Sequence, residues 1–161
     1  MPYRVTHNDS KLNNILIDNV NNRAVATIDL DTVMSGSIVY DFGDSIRSGC
    51  NLGAEDSQDL DEVIFSMEHY KAFCNGFLSQ VKNVLSSIEI ENMAFGALLM
   101  TYECGIRFLT DYLNGDKYFK TAYSEHNLVR ARTHIKLLSQ MEEQYEDMHK
   151  YVLNICKQKE Q

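Results

Sequence analysis

Tryptophan is absent from the chain and proline occurs once, at Pro2, so beyond the second residue no ring forces a helix to stop. Cysteine is sparse: Cys50, Cys74, Cys104 and Cys156 lie far apart, with no Cys-x-x-Cys pair. That spacing excludes a thiolate zinc site and argues against a disulfide framework, so free thiols are expected, three of them on helices. No apolar run approaches the roughly 20 residues that cross a bilayer. The opening Met-Pro-Tyr-Arg lacks the basic-then-apolar layout of a secretory leader, which makes the cytoplasm the expected location. Positive charge is also short, with 15 Lys and Arg against 23 Asp and Glu and a net charge of −8. A surface without clustered cations repels nucleic acid and anionic membrane, so neither is an expected partner. A nucleotide would need Mg2+ or a local cationic group.

What is present suits one ordinary globular domain over residues 1–161, with 44% apolar and 24% charged residues. Residues 14–18 and 24–30 read as two strands joined by the Asn-rich turn 18–23, a hairpin. Residues 40–47 read as a short helical turn, and 48–57 as a polar loop. From about residue 59 the apolar period becomes helical. Val63, Met67, Tyr70, Cys74, Phe77, Val81 and Val84 mark one amphipathic face. Ser86-Ser87-Ile88-Glu89 is a capping-box pattern that opens a helix closed near Leu113 by Asn114-Gly115. A last helix is expected over 125–157, with Leu128, Ile135, Leu138, Met141, Tyr145, Met148 and Val152 on one side. Lys150, Lys157 and Lys159 suit its C-terminal end. The expected class is α+β, mostly α.

The chemistry concentrates in His7-Asn8-Asp9-Ser10-Lys11-Leu12-Asn13-Asn14, an H-x-D-x-x-x-x-N pattern with the spacing of a kinase catalytic loop. Phosphoryl transfer needs a carboxylate to orient and deprotonate the acceptor hydroxyl, and an oxygen ligand to hold Mg2+ on the phosphates. Asp9 suits the first role and Asn14 the second. A second carboxylate must complete the metal site. Asp41-Phe42-Gly43 spells a protein-kinase metal motif, but it lies 27 residues beyond Asn14. Asp29 lies 15 beyond, at the expected end of the second strand, where it can face Asn14 across the hairpin. Asp29 is therefore the expected ligand. Asp31, on the same side in extended chain, is a second candidate. His7 is read as packing behind the loop, and Asp41 and Asp44 as bracing the short helix. The remaining histidines show no ligand spacing.

Taken together, the loop, Ile28-Asp29-Leu30-Asp31-Thr32-Val33-Met34 and Tyr40-Asp41-Phe42-Gly43-Asp44 resemble the aminoglycoside phosphotransferase and choline kinase superfamily. Residues 105–113, Gly115-Asp116, Tyr118-Phe119, His126-Asn127-Leu128 and Arg130-Ala131-Arg132 are most similar to N-acetylhexosamine 1-kinases. The resemblance implies a kinase-like C-terminal lobe with Asp9 as base, Asn14 and Asp29 as Mg2+ ligands and ATP as co-substrate. It also implies Arg107 as a contact to a sugar, against the plainer reading of a mid-helix, ion-paired arginine. Such kinases carry an N-terminal lobe over the nucleotide. Here the loop starts at residue 7 and no Gly-rich loop occurs, so these residues alone are expected to turn over ATP poorly. Their open face would then be covered by a homodimer or a separate N-terminal lobe. A truncated, non-catalytic fragment serving as an oligomer or binding module is the competing reading, and aminoglycoside, choline or homoserine are competing substrates.

Overall fold

The computed structural model describes residues 1–157; Lys159 lies outside the described residues. Two small antiparallel sheets come first. Strand β1 (Arg4–Thr6) is followed by a loop that ends in a 3-10 turn at Leu12–Asn14, and then by β2 (Ile15–Asp18). β3 (Arg23–Thr27) returns along β2 with a bulge between Leu16 and Ile17. Asp18 Oδ1 tightens the connecting turn by accepting from the backbone amides of Val20 and Asn21 at 2.9 and 3.3 Å. This is the expected hairpin, but its second strand is shorter than expected. Beyond Thr27 the chain leaves extended geometry: Asp29 is left-handed at φ 61° and opens a 3-10 turn over Leu30–Thr32. Strand parity therefore does not put Asp31 on the side of Asp29, which corrects the extended-chain argument. β4 (Met34–Gly36) then pairs with β1, a second sheet that the residue pattern did not announce.

Helix α1 (Ile38–Gly49) runs longer than the expected short turn. α2 (Met67–Val81) starts from Ser66, whose hydroxyl accepts from the His69 amide at 3.2 Å. The periodicity overran it at both ends. Val63 is buried in the preceding loop, which an isolated bridge between Asn51 and Phe65 closes, and Val84 is exposed beyond the last turn. α3 (Ser87–Leu113) matches its expected span, with Glu89 Oε2 accepting from the Ser86 amide at 2.8 Å to close the capping box. Arg4 on β1 reaches the same carboxylate, Nη2 to Oε2 at 2.7 Å, and so ties the first strand to the long helix.

The expected last helix is two, α4 (His126–Glu143) and α5 (Tyr145–Lys157), separated at Gln144. No proline is involved. Gln140 pins α4 to the loop before α2, donating to the Val63 carbonyl and accepting from the Phe65 amide, both at 2.7 Å. The change of direction lets Met148 and Val152 on α5 stay fully buried with α2 and α3. The inward side of α4 is Ala131, His134, Leu137 and Met141, whereas Ile135 is exposed.

α3 is the axle of the domain, packed against α1, α4 and α5. Its crossing with α1 explains Gly43, because a Cβ there would run into the Gly96 carbonyl. Phe42 sits in the core at 0% exposure, with its ring centroid 5.4 Å from that of Phe77. The Asp-Phe-Gly triplet is thus the first turns of a packed helix. None of the four cysteines is in a disulfide, and burial pushes the Cys50 and Cys74 thiols up to about 12. No described helix is long and apolar enough to cross a membrane. On the hairpin, Ile17, Val25 and Ile28 expose their side chains, while Ile15 is half-buried.

Candidate active site

The loop over residues 7–14 is held from one side by α1. Asp41 accepts the backbone amides of His7 and Asn8, each at 2.8 Å. One turn on, Ser45 donates to the Ser10 carbonyl at 2.8 Å, and Ser48 accepts the Leu12 amide at 2.9 Å. Residues 41, 45 and 48 share one face of a helix, so a single stripe of short polar side chains positions the whole loop. This is a readable sequence signal, since Asp41 is followed by serines at the fourth and seventh positions. The loop in turn hydrogen-bonds the segment after β3. Thr32 donates to the His7 carbonyl at 2.7 Å, and Asn8 donates to the Thr32 carbonyl at 3.0 Å.

His7 lies between the two segments. Its Nδ1 accepts from the Asp9 amide at 3.3 Å and its Nε2 faces the Ile28 carbonyl at 3.0 Å. That pairing puts the ring proton on Nε2 and makes the imidazole a strut. Asn14 is buried and donates its amide nitrogen to both the Asp9 carbonyl and Asp9 Oδ2, at 2.7 and 2.9 Å. Lys11 Nζ also sits 2.8 Å from Oδ2. Burial pushes the Asp9 carboxyl up, but the bonds from Lys11 and Asn14 outweigh it, so the group lies below its ordinary value and is ionised at neutral pH. The residue pattern carries no signal for this Lys11 contact.

Asn14 also pairs with the segment after β3, its carbonyl accepting the Ile28 amide at 2.9 Å, which puts the backbone of Asp29 next to it. The charge of Asp29 contributes to raising the Lys11 ammonium, behind the larger effect of the Asp9 bond. Asp9 thus binds both Asn14 and Lys11, and the charge of Asp29 is felt at the same ammonium. Asn14 and Asp29 are hard oxygen donors of the kind Mg2+ takes in small number beside substrate phosphates, so the donor set fits that ion. Among the described residues no three His, Cys, Asp or Glu side chains form a metal cluster of their own. Asp31 lies exposed on the 3-10 turn.

A cavity of about 880 Å3 opens beside Asp9 and Lys11 and reaches across to α3 and α4. Arg107 lines it, 3.6 Å from Glu103 and within 5.4 and 5.7 Å of the ring centroids of Phe119 and Tyr118. Both rings line the cavity too, on a loop that Asp111 organises by accepting the backbone amides of Lys117, Tyr118 and Phe119, each at 2.9 Å. Asp44 pairs with Arg47 one turn along α1, its Oδ1 2.8 Å from Nη2. Of the remaining histidines, His126 and His134 are buried polar residues.

Compared with known proteins, residues 1–68 match the model of the phosphotransferase enzyme family designated APH. The matched segment carries the loop, both sheets and α1, and so every candidate residue except Arg107. It is similar to enzymes that transfer phosphoryl groups.

Proposed function

We propose that this chain is a catalytic lobe that moves the γ-phosphate of ATP onto a hydroxyl of a small molecule, the anomeric hydroxyl of an N-acetylhexosamine. The observation that carries the reading is the ionised Asp9, held by Asn14 and Lys11 at the edge of a cavity with room for a monosaccharide. Both bonds fall on Oδ2, which leaves Oδ1 to orient the acceptor hydroxyl and take its proton. Lys11 offsets charge next to the reacting oxygen. Asn14 and Asp29 would hold Mg2+, which would supply positive charge to offset that developing on the nucleotide phosphates.

Preference for a sugar rests on the far wall. Arg107 beside the Tyr118 and Phe119 rings combines donors with flat apolar surface, which suits a polyhydroxylated ring. A thermal-shift screen of N-acetylglucosamine, an aminoglycoside, choline, homoserine and Mg-ATP tests this. Stabilisation by Mg-ATP and N-acetylglucosamine is expected. Stabilisation by choline or an aminoglycoside in place of the sugar contradicts the substrate assignment. The same reading gives the exposed apolar side of the hairpin to a covering partner, a second copy or a separate N-terminal lobe. A monodisperse monomer at high concentration in light scattering rules out the second copy.

A further inference from the structure

A second polar cluster lines the same cavity away from the loop. Arg47 on α1 is buried, with its side chain 6% exposed, and its guanidinium is shared three ways. Nε donates to Asp44 Oδ1 at 2.9 Å, while Nη1 reaches Glu55 Oε1 at 2.7 Å and His134 Nε2 at 3.1 Å. His134 Nδ1 faces the Arg130 carbonyl at 2.8 Å, so it donates there and accepts from Arg47, the pattern of a neutral imidazole. Burial and the adjacent Arg47 charge hold that imidazole down at about 4.

Two carboxylates, Asp44 and Glu55, thus share the Arg47 guanidinium. Asp44, with its side chain 9% exposed, has an Oδ2 that is buried and meets no donor. A buried acceptor without a donor is costly, and in this cluster only a half-exposed member can be reached by a ligand's donor. Glu55 is the member that can meet it. Its side chain is 47% exposed, it lines the cavity, and Arg47 fixes Oε1 while Oε2 is left for a visitor.

We propose that Glu55, presented by Arg47 in front of Asp44, hydrogen-bonds a non-reacting hydroxyl of the acceptor and thereby selects it. The proposal rests on the reading of this cavity as an acceptor site. Arg47 and Asp44 are positioning residues, and Glu55 is the contact. A carboxylate that accepts only takes a hydroxyl, and a site built around that bond discriminates strongly against an analogue lacking it.

Saturation-transfer NMR titration of the full chain with N-acetylglucosamine and its single-deoxy analogues tests the assignment. In Glu55→Gln the amide turns a donor toward the cavity, and binding should weaken about tenfold or more with the melting temperature retained. One deoxy analogue should lose as much on the unaltered chain and nothing further on the variant. That series on the unaltered chain needs no variant to fold. Equal binding by Glu55→Gln, or deoxy losses spread evenly over all positions, overturns the proposal and leaves the acceptor reading standing. No binding of N-acetylglucosamine by the unaltered chain overturns both.

Discussion

Asp41 Oδ1 accepts the backbone amide of Asn8 at 2.8 Å, and Asn8 is held there in a left-handed conformation at φ 62°. The carboxylate of an apparent metal motif is thus spent on shaping the loop that carries Asp9.

The two acidic candidates should therefore separate by experiment. Asp41→Asn removes acceptor capacity from two backbone amides, and hydrogen bonds to a charged group are worth about 1.5–3 kcal/mol. A lower melting temperature is expected, with Mg2+-dependent ATP binding still present. Asp29→Asn should do the reverse, leaving the melting temperature close to that of the unaltered chain and abolishing the Mg2+ dependence of binding. Calorimetric titration of ATP with and without Mg2+ reads both. Loss of Mg2+ dependence in Asp41→Asn with its retention in Asp29→Asn contradicts the assignment.

Acid should loosen the tie between β1 and α3. The Arg4 guanidinium holds the buried Glu89 carboxyl down at about 2, from an ordinary 4.5, so the folded state favours the ionised form. For a carboxyl lowered on folding, the stabilisation is complete above the unfolded value and disappears as pH falls toward the folded one. Stability should therefore decline between about 4.5 and 2. Glu89→Gln should show a lower melting temperature at neutral pH and a flatter profile in that window. A variant profile parallel to that of the unaltered chain contradicts the role of the pair.

What could be read from the residues alone follows from how local the signal is. The capping box at Ser86 and Glu89 and the Asn114-Gly115 stop mark α3 because the groups involved are neighbours in sequence. The hairpin and the Asp9–Asn14 spacing are local in the same way. The pairing of β1 with β4 is not, since three-residue strands some thirty positions apart leave no period. Val63 looked helical because a loop residue that plugs the core has the same polarity as a helix residue facing it. The break at Gln144 depends on where Gln140 is anchored, which lies in another segment. Lys11 and Glu55 have ordinary surface identities, and only the folded cavity brings one to Asp9 and the other to Arg47.

The proposed function turns on Asp9 as the group that receives the acceptor proton in phosphoryl transfer. The most direct measurement is the rate of sugar phosphate formation from Mg-ATP and N-acetylglucosamine, followed by phosphorus NMR, for the unaltered chain and for Asp9→Asn. Asp9→Asn should lower that rate by about 10²- to 10⁴-fold, the usual contribution of a positioned base. Equal rates in the two proteins contradict it.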